Sequence, residues 1–436
     1  MADATTSVTM SPELQRVAER AKRDPSAKIL ALARHLDEAG LERAYRRLRK
    51  GAAVGVDGVT VEQYGQHLHE HVRTLHERMK AGRYRHQPIR RVHIPKDNGK
   101  TRPIGVSTVE DKIVQGAIRE VMEAVYEQDF KDCSHGFRPG RSAHDAIRAV
   151  NGAVRRGARY ILEADIESFF DSLDRARLMA MLRDRIADES LMKLVGKCLH
   201  VGILDGAEYT EPEVGTTQGS SLSPLLGNVY LHHVLDVWFE EVAKPRLRGR
   251  ATLVRYADDF VICFEREDDA RRVEVALRQR MTNHGLRLHP AKTRLLSFLP
   301  PDDGGHKGSA TFDFLGFTLH WQRTLRGGWR MACKTRSVRL RRARGSVEDW
   351  CRRHRHLPVP QQHAALTRKL VGHYGYFGVN GNLRSLAVLW HAAKRSWQKW
   401  LNRRSQRARM TWERFNAVLK RLPLPTPRIY VQIWGT

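Results

Sequence analysis

Two adjacent aspartates between two short apolar runs constrain this chain more than any other feature. Residues 252–255 and 260–264 contain these runs, and Asp258 and Asp259 lie in the segment between them. Apolar runs that flank a short turn predict a β-hairpin. The turn would present two carboxylates at one tip, where divalent cations such as Mg²⁺ are suitable partners because they prefer hard oxygen ligands. The same pair is also typical of a plain solvated turn, since Asp is a common turn residue.

A third carboxylate lies upstream, at Asp165. Residues 159–164 form a strand-like run before it, and the aromatic residues Phe169 and Phe170 follow it. A two-metal site needs about three acidic ligands from separate elements, and Asp165 would complete the set with Asp258 and Asp259. A helix N-cap or an ordinary carboxylate at a strand end is the alternative for Asp165.

A polar loop with glycines lies between the two acidic segments. Residues 215–222 form this loop, and Ser223 followed by Pro224 predicts an N-cap and the first position of a helix. Apolar residues then recur at helical spacing as far as Val237. Gly219 would let the backbone approach a base pair closely, although a plain loop before a helix is the alternative.

The order of these three features resembles the palm of reverse transcriptases encoded by bacterial group II introns. Residues 94–105 look like the fingers motif of that family, and residues 134–142 look like the signature that follows it. The resemblance covers residues 50 to 325. It implies an α+β fold of the right-hand polymerase type, with fingers and palm over residues 56–325 and a ferredoxin-like palm sheet.

The resemblance also implies a catalytic and metal-binding set. Asp165, Asp258 and Asp259 would be catalytic and would hold two Mg²⁺ ions, with Mn²⁺ as a possible substitute. The carbonyl of Ile166 would be a further metal ligand.

Three residues would contact the incoming nucleotide directly by the same resemblance. Lys96 and Arg102 would grip the triphosphate, as a mobile point charge and a planar fork respectively. Phe170 would be the steric gate that rejects a 2′-hydroxyl. Solvated charges and a core aromatic are the alternative interpretations.

Three more nucleotide-binding residues follow from the family pattern. Gln218 and Gly219 would shape the nucleotide and template pocket, and Lys292 would protonate the leaving pyrophosphate unless it is only a surface lysine. Glu167 and Thr217 depart from the residues more often found in the family, but neither position is a metal ligand there.

The segment after the acidic hairpin predicts a helix and two strands. Val273, Leu277 and Met281 mark one helical face, which ends near Gly285. Residues 312–321 then alternate on both sides of a glycine, which predicts two short strands with a bend. By resemblance this is the primer grip, formed by Phe314, Leu315 and Gly316. A buried hairpin without a nucleic-acid role is the alternative.

The positive charge is concentrated near the C-terminus. The formal charge is +28, and residues 331–436 hold 23 Lys and Arg against 3 Asp and Glu, so this quarter of the chain carries +20. Such a balance implies a polyanionic partner and salt-dependent phosphate contacts. By resemblance residues 326–436 are a helical thumb and maturase domain that binds intron RNA, through Arg341, Arg342, Arg403 and Arg404.

A tryptophan stripe crosses the same region. Trp390, Trp397 and Trp400 fall on one predicted helical face. This spacing favours core packing, and base stacking is the alternative.

The N-terminal residues 1–55 predict a helical extension. Ser11 before Pro12 is a good helix start, and the run from 27 to 50 is amphipathic and basic. The family has an extension here that covers the template strand, and a solvated basic face is the alternative.

Several absences shape the expectations. The sequence has no apolar run of membrane-spanning length and no signal peptide, so we expect a soluble protein of the bacterial cytoplasm or nucleoid with no membrane partner. The five cysteines form no C-x-x-C pair, which argues against disulfides and structural zinc. We therefore also expect no H-N-H endonuclease domain.

The expected function is RNA-directed DNA synthesis joined to RNA binding. The partners would be an RNA template, intron RNA, a DNA primer or target DNA, and dNTPs. One alternative is an RNA-binding splicing cofactor in which polymerase activity is secondary or lost. Another is a domesticated reverse transcriptase that serves in defence.

Overall fold

The structure is a computed structural model that describes residues 10–95, 101–205, 208–210, 215, 219–301, 311–405 and 409–434. Its contacts divide the chain into two compact units. The described residues of the larger unit come from 10–142 and 162–295, and those of the smaller unit come from 143–161 and 296–434. The functional segments 1–55, 56–325 and 326–436 remain a prediction.

Helices supply most of the regular structure. In chain order the α-helices are α1 (Pro12–Arg23), α2 (Glu38–Arg46), α3 (Val61–Gly65), α4 (Leu68–Lys80), α5 (Val109–Tyr126), α6 (Ala143–Arg155), α7 (Phe169–Ser172), α8 (Arg175–Arg185), α9 (Glu189–Leu199), α10 (Ser223–Leu231), α11 (Glu267–Asn283), α12 (Ser337–Arg353), α13 (Val359–Phe377), α14 (Leu383–Asn402) and α15 (Trp412–Arg421). Short 3₁₀ turns cover Ala33–His35 and Lys244–Arg246, and π-helical turns cover His232–Asp236 and Trp238–Ala243.

The strands are short and form three sheets. They are β1 (Ile89–Pro95), β2 (Thr101–Val106), β3 (Tyr160–Asp165), β4 (Ile203–Asp205), β5 (Glu208–Thr210), β6 (Ala251–Tyr256), β7 (Asp259–Phe264), β8 (Arg294–Ser297), β9 (Phe312–Phe314), β10 (Phe317–Arg323) and β11 (Trp329–Thr335). The sheet orders are β2-β1-β4-β5, β6-β7-β3-β8 and β11-β10-β9. The predicted mixture of helices and sheets is therefore confirmed.

Two predicted hairpins are present. Strands β6 and β7 pair antiparallel with Tyr256 opposite Asp259, which leaves a two-residue turn. Strands β9 and β10 pair antiparallel with Phe314 opposite Phe317. Helix α11 also has the predicted face, because Val273, Leu277 and Met281 are buried.

Helix α5 forms the centre of the core in the larger unit. Its buried residues include Ile113, Ala117 and Val121. A Cβ at Gly116 would lie 3.2 Å from the Cβ of Ala44 in α2, so the two helices approach closely at this glycine. Small residues at such a crossing let the backbones come together and bury both apolar faces.

The amphipathic run over residues 27–50 of the predicted helical extension is helical only in part. Only α2, Glu38–Arg46, is α-helical in this stretch. The Ile29 amide donates to the Arg185 carbonyl at 2.9 Å, and the Ala187 amide donates to the Ile29 carbonyl at 3.0 Å. These long-range bonds use backbone groups that a helix would need for itself. Helix α1 does start at Pro12 behind Ser11, as predicted.

The predicted N-cap at Ser223 is wrong by one residue. Helix α10 begins at Ser223, and Leu222 is its N-cap without a side-chain hydrogen bond. The amides of Leu225 and Leu226 both donate to the Leu222 carbonyl, at 3.1 and 3.2 Å. The first helical acceptor is therefore one position earlier than the Ser-Pro pattern indicated, which moves Pro224 to the second position.

The C-terminal region starts with a strand and continues with helices. The segment predicted to be helical, residues 326–436, contains β11 before α12, α13, α14 and α15. Its core includes Leu366, Leu370, Leu389 and Trp397, all almost inaccessible to solvent. Trp390 and Trp400 are partly buried against this core, so the core interpretation of the tryptophan stripe is confirmed for Trp397 and extends in part to its neighbours.

All five cysteines are buried free thiols. Across the part of the chain that the structure describes, no helix combines the length and the apolar content needed to cross a bilayer.

Replacing Trp397 with alanine should destabilise the smaller unit strongly. The side chain is 0% exposed, and its Nε1 donates to Gln362 Oε1 at 3.1 Å. We expect a loss of about 3–5 kcal/mol in the free energy of unfolding, measured by urea denaturation. Trp412, which is 47% exposed, is the matched control, and Trp412→Ala should cost less than about 1 kcal/mol. Equal losses would contradict the assignment of Trp397 to the core.

Candidate active site

The β6–β7 hairpin presents both aspartates at its turn. Ala257 and Asp258 occupy the two turn positions, and Ala257 has a φ of 57°, as tight two-residue hairpin turns require. Asp259 is exposed and Asp258 is half-buried. The predicted hairpin therefore carries its two carboxylates where a ligand can reach them.

Asp165 lies on the neighbouring strand. It is the last residue of β3, and β3 is next to β7 in the sheet order. Asp259 is the first residue of β7. One sheet therefore carries all three aspartates on adjacent elements.

Helix α10 connects the two acidic segments. A Cβ at Gly227 would lie 3.0 Å from Cε1 of Phe169 and 3.2 Å from Cε1 of Phe170, just after β3. The next residue, Asn228, accepts through Oδ1 from Arg255 Nη1 at 2.9 Å, just before the turn. Two consecutive helical residues thus contact the segments that follow Asp165 and precede Asp258.

Lys292 is held beside the first aspartate. Its Nζ donates to Asp165 Oδ2 at 2.6 Å. The His289 amide also donates to the Asp165 carbonyl, and the Glu167 amide donates to the Arg287 carbonyl, each at 2.8 Å. These bonds fasten the segment around residue 289 along the end of β3 and bring Lys292 to the acidic site.

The predicted metal ligands are all oxygen atoms, which is the type of donor that Mg²⁺ prefers. Asp165, Asp258 and Asp259 offer carboxylates, and the backbone bonds next to Ile166 do not use its carbonyl. Such oxygens are preferred by Mg²⁺ and Mn²⁺. Among the residues with described positions, however, no three His, Cys, Asp or Glu side chains are arranged to hold a metal ion, and Asp165 pairs with Lys292. The metal assignment therefore rests on donor chemistry and stays a prediction.

A buried arginine supports the turn from behind. Arg255 is 0% exposed, and a guanidinium has five N–H donors. Nε and Nη2 donate to the two carboxylate oxygens of Asp236 at 2.8 and 2.5 Å. Nη1 donates to Asn228 Oδ1 at 2.9 Å and to the Ala257 carbonyl at 3.0 Å, and Nη2 donates to Ser134 Oγ at 2.7 Å. These five bonds match the number of donors.

The charge of Arg255 is kept despite its burial. Burial alone would lower the pKa of its guanidinium, but the charge and hydrogen bonds of Asp236 outweigh burial and raise that pKa above its ordinary value. The charge of Asp258 acts in the same direction. Arg255 therefore couples the β6–β7 turn electrostatically to the buried network.

Glycines permit two close approaches near the site. A Cβ at Gly136 would lie 2.4 Å from the Ala257 amide nitrogen, so the 134–142 signature needs a glycine where it crosses the turn. Gly219 has a φ of 118°, and a Cβ there would lie 2.2 Å from the Gly105 carbonyl of β2. Gly219 therefore adjoins the strand of the predicted fingers motif.

The structure describes only some of the predicted nucleotide-binding residues. Lys96 and Gln218 lie outside the described residues. The backbone of Arg102 is in β2 opposite Ile94, but the structure does not describe its side chain. Phe170 is half-buried, with its ring centroid 5.1 Å from that of Phe169.

The predicted primer grip is an ordered turn in the smaller unit. Phe314 is buried, and Leu315 and Gly316 have positive φ angles of 50° and 80°. The Tyr376 hydroxyl donates to the Leu315 carbonyl at 2.8 Å, and the Arg336 amide donates to the Gly316 carbonyl at 3.0 Å. The turn is therefore fixed by its own unit.

The four predicted RNA-binding arginines are all exposed. Arg341 and Arg342 are on α12, while Arg403 and Arg404 follow α14. The Arg403 guanidinium lies 5.6 Å from the ring centroid of Trp400.

The residues behind the turn are not among those predicted from the sequence. Arg255 interrupts an apolar strand, and Asp236 lies in the mostly apolar segment 225–239. These are the two signals that could have indicated a buried ion pair. Their pairing across the fold was not visible in either pattern alone.

The model of the reverse transcriptase (RNA-dependent DNA polymerase) family matches residues 94–319. This match spans more than half of the chain. The chain belongs to the reverse transcriptase family. Members of the family have a right-hand polymerase fold, which the mixed helices and sheets of this reverse transcriptase fit.

Several curated relatives agree with the resemblance to group II intron proteins. Protein YkfC of Escherichia coli is 36% identical over 288 residues, which cover 57% of this chain and 74% of that protein. The group II intron-encoded protein LtrA of Lactococcus lactis is 37% identical over 192 residues, 44% of this chain and 32% of LtrA. A putative COX1/OXI3 intron 1 protein of Saccharomyces cerevisiae is 29% identical over 223 residues, 51% of this chain and 26% of that protein. The matches thus cover under a third of each of the two intron proteins.

Variants of the buried pair Arg255–Asp236 should show whether Arg255 serves only stability or also positions the turn in this reverse transcriptase. Arg255→Met alone leaves Asp236 buried without its partner, so we expect a loss of about 3–5 kcal/mol in unfolding free energy. Arg255→Met with Asp236→Val removes both charges and should restore most of that stability. The Ala257 carbonyl still lacks its donor, so kcat for primer extension should stay about 10–100-fold low while KM for dNTP changes little.

Ser134→Ala is the matched control, because it removes one bond of Arg255 without touching the turn. It should leave kcat within about threefold of the wild type. If the stable double variant extended primers at the wild-type rate, Arg255 would have only a structural role.

Proposed function

We propose that this reverse transcriptase is the RNA-directed DNA polymerase of a group II intron retroelement, and that it also binds intron RNA to assist splicing and mobility. The observation that carries the polymerase function is the single sheet with Asp165 on β3 and Asp258 and Asp259 at the β6–β7 turn. The names of the intron-encoded relatives support the intron assignment.

The three aspartates and the Ile166 carbonyl would hold two Mg²⁺ ions. When bound, these ions would stabilise charge on the attacking and leaving oxygens of the phosphoryl transfer. Asp165 would have to exchange its contact with Lys292 Nζ, now at 2.6 Å, for this role. The released ammonium would then be close enough to serve the nucleotide.

The remaining residues would handle the nucleotide itself. In the reaction the primer 3′-oxygen forms a bond to the α-phosphorus of the dNTP, and the bond from that phosphorus to pyrophosphate breaks. Lys96 and Arg102 would hold the triphosphate, and Lys292 would give a proton to the departing pyrophosphate. Gln218 and Gly219 would shape the pocket.

The steric gate would be set by packing around Phe170. Its ring meets Gly227 of α10, where a Cβ would come within 3.2 Å. Phe170 would then lie under the sugar and exclude a 2′-hydroxyl.

The sheets and chain segments would have the places that the resemblance to group II intron proteins implies. The sheet β6-β7-β3-β8 would be the ferredoxin-like palm sheet, and the β1–β2 hairpin would belong to the fingers. Residues 1–55 would be an N-terminal extension that covers the template strand, and residues 326–436 would form the thumb and maturase domain. Phe314, Leu315 and Gly316 would hold the primer.

A second candidate is an RNA-binding splicing cofactor with secondary or lost polymerase activity. The observation in its favour is the charge of +20 on residues 331–436, which suits binding to RNA without any chemistry.

Asp258→Asn should abolish Mg²⁺-dependent extension of a DNA primer on an RNA template, because it removes one carboxylate from the metal set. We expect a fall of at least about 100-fold in cDNA yield. Asp268→Asn is the matched control, since Asp268 lies on α11 outside the site and is ion-paired to Arg266 at 3.0 Å. Unchanged extension by Asp258→Asn would refute the metal assignment. Splicing assistance that survives in this variant, with negligible cDNA from the wild type, would favour the splicing cofactor.

Phe170→Val should relax sugar discrimination. A smaller side chain leaves room for a 2′-hydroxyl, so the ratio of kcat/KM for rNTP to that for dNTP should rise about tenfold or more. Single-nucleotide incorporation measures both constants on the same primer. A loss of dNTP incorporation without a gain for rNTP would remove Phe170 from the gate role.

A further inference from the structure

A basic cavity lies in the smaller unit, far along the chain from the three aspartates. It has a volume of about 580 Å³. Its lining residues are all basic: Arg352, Arg353, Arg355, His356 and Arg404. The first four come from the end of α12 and the turn after it, and Arg404 comes from the end of α14. Two basic runs that are about fifty residues apart in the sequence therefore converge on one concave site.

The turn between α12 and α13 is held rigidly. Arg404 Nη2 donates to the carbonyls of His356 and Leu357 at 2.8 and 3.1 Å. Gln362 Nε2 donates to the carbonyls of Arg355 and Leu357 at 3.2 and 2.7 Å. Three consecutive carbonyls are thus bonded to the helical bundle, which fixes the backbone that carries the basic side chains.

Gln362 connects this turn to the hydrophobic core. It is 1% exposed, and its Oε1 accepts from the buried Trp397 Nε1. A cavity tied to the core in this way is ordered before any ligand arrives, which lowers the entropy cost of binding.

A ladder of stacked rings ends at the cavity. The rings of Trp350 and His354 are 4.7 Å apart at an angle of 10°, and those of His354 and His356 are 6.4 Å apart at 24°. His356 is exposed and is the last ring of the ladder. A planar ligand can therefore extend the stack beside the guanidinium groups.

We propose that this cavity binds an unpaired nucleotide of RNA. The base stacks on His356, and the flanking phosphates contact Arg352, Arg353 and Arg355. Unpaired bases in loops and bulges expose their faces to aromatic side chains, whereas a continuous duplex hides them. The inference rests on the proposed RNA-binding function and adds to it a site and a structural class of RNA.

Two of the guanidinium groups that line the cavity make contacts within their own unit. Arg352, one of the lining residues, pairs with Asp349 at 3.1 Å. The Arg355 guanidinium lies 5.8 Å from the ring centroid of Trp400 and donates to the Arg352 carbonyl at 3.0 Å. Fixed guanidiniums are suited to phosphate oxygens.

The test measures binding of the full-length protein to two labelled RNAs by fluorescence anisotropy over a series of salt concentrations. One RNA is a hairpin with an unpaired loop, and the other is an uninterrupted duplex with the same number of nucleotides. Arg353→Gln with Arg355→Gln removes two charges from the cavity. Arg368→Gln with Arg384→Gln removes two exposed charges elsewhere in the same unit and is the matched control.

The cavity double variant should bind the hairpin at least about tenfold more weakly than wild type, and the slope of log affinity against log salt should fall by about one to two. The control pair should lose less than about threefold. Equal losses in the two pairs would mean that only total charge matters, and would overturn the site.

His356→Ala tests the stacking part of the proposal. It should weaken hairpin binding about tenfold and change duplex binding less than about twofold. His391→Ala, which removes another exposed histidine of the same unit, is the control. An equal effect on both RNAs, or none on either, would overturn the unpaired-nucleotide assignment.

Thermal melting and primer extension distinguish a failure of the cavity proposal from misfolding and from a failure of the polymerase proposal. Thermal melting by circular dichroism shows whether each variant is folded, and a variant that melts early is replaced by the single change Arg353→Gln. Primer extension by the wild-type protein tests the proposed polymerase function independently. Extension without any hairpin preference would overturn the cavity assignment alone, and hairpin binding without extension would overturn the polymerase alone. Preferential capture of an acidic peptide over the hairpin would also refute the RNA assignment.

Discussion

The turn that carries Ala257 and Asp258 depends on one buried charge. Removing a guanidinium from water costs several kcal/mol unless strong partners replace the water, and Arg255 has such partners for every one of its donors. Asp236 neutralises it, while the Ala257 carbonyl, Asn228 and Ser134 complete its hydrogen bonds. Because these partners come from separate elements, the arginine can be satisfied only when those elements are assembled. The shape of the turn is therefore coupled to the packing of the larger unit.

The residues behind the turn are buried, whereas the carboxylates at its tip are accessible. Behind the turn Arg255 is buried and has a partner for each of its donors, whereas Asp259 is exposed and Asp258 is half-buried at the tip of the turn. Helix α10 links the turn to the segment after Asp165, because Gly227 admits two aromatic rings and Asn228 meets Arg255. In the proposed metal-binding role, the carboxylates would approach cations while the backbone that carries them stays in place. Preorganised ligands of this kind would reduce the reorganisation needed when charge develops in the reaction.

The smaller unit combines a hydrophobic helical core with a strongly basic surface. Its interior is a helical core around Trp397, and its surface carries an excess of arginine. Like charges at this density repel one another and disfavour the compact state, unless a polyanion is bound. Part of the surface is organised by internal bonds: Lys399 Nζ and Trp400 Nε1 both donate to Glu348 Oε1, at 2.6 and 2.9 Å. These bonds hold α14 against α12 and leave other cations directed outward.

The sequence by itself determined the elements whose signals are local. The hairpin at residues 256–259, the strand that ends at Asp165, the buried face of α11 and the bend at Gly316 all follow from patterns within about ten residues, and all are present. The tertiary structure alone decided where the partners are distant. Ile29, in the amphipathic run of the N-terminal extension, pairs with Ile186, and Arg404 reaches the turn at His356. The pairing of Arg255 with Asp236 belongs to this second group, because a charge in an apolar strand reveals a need for a partner without identifying that partner.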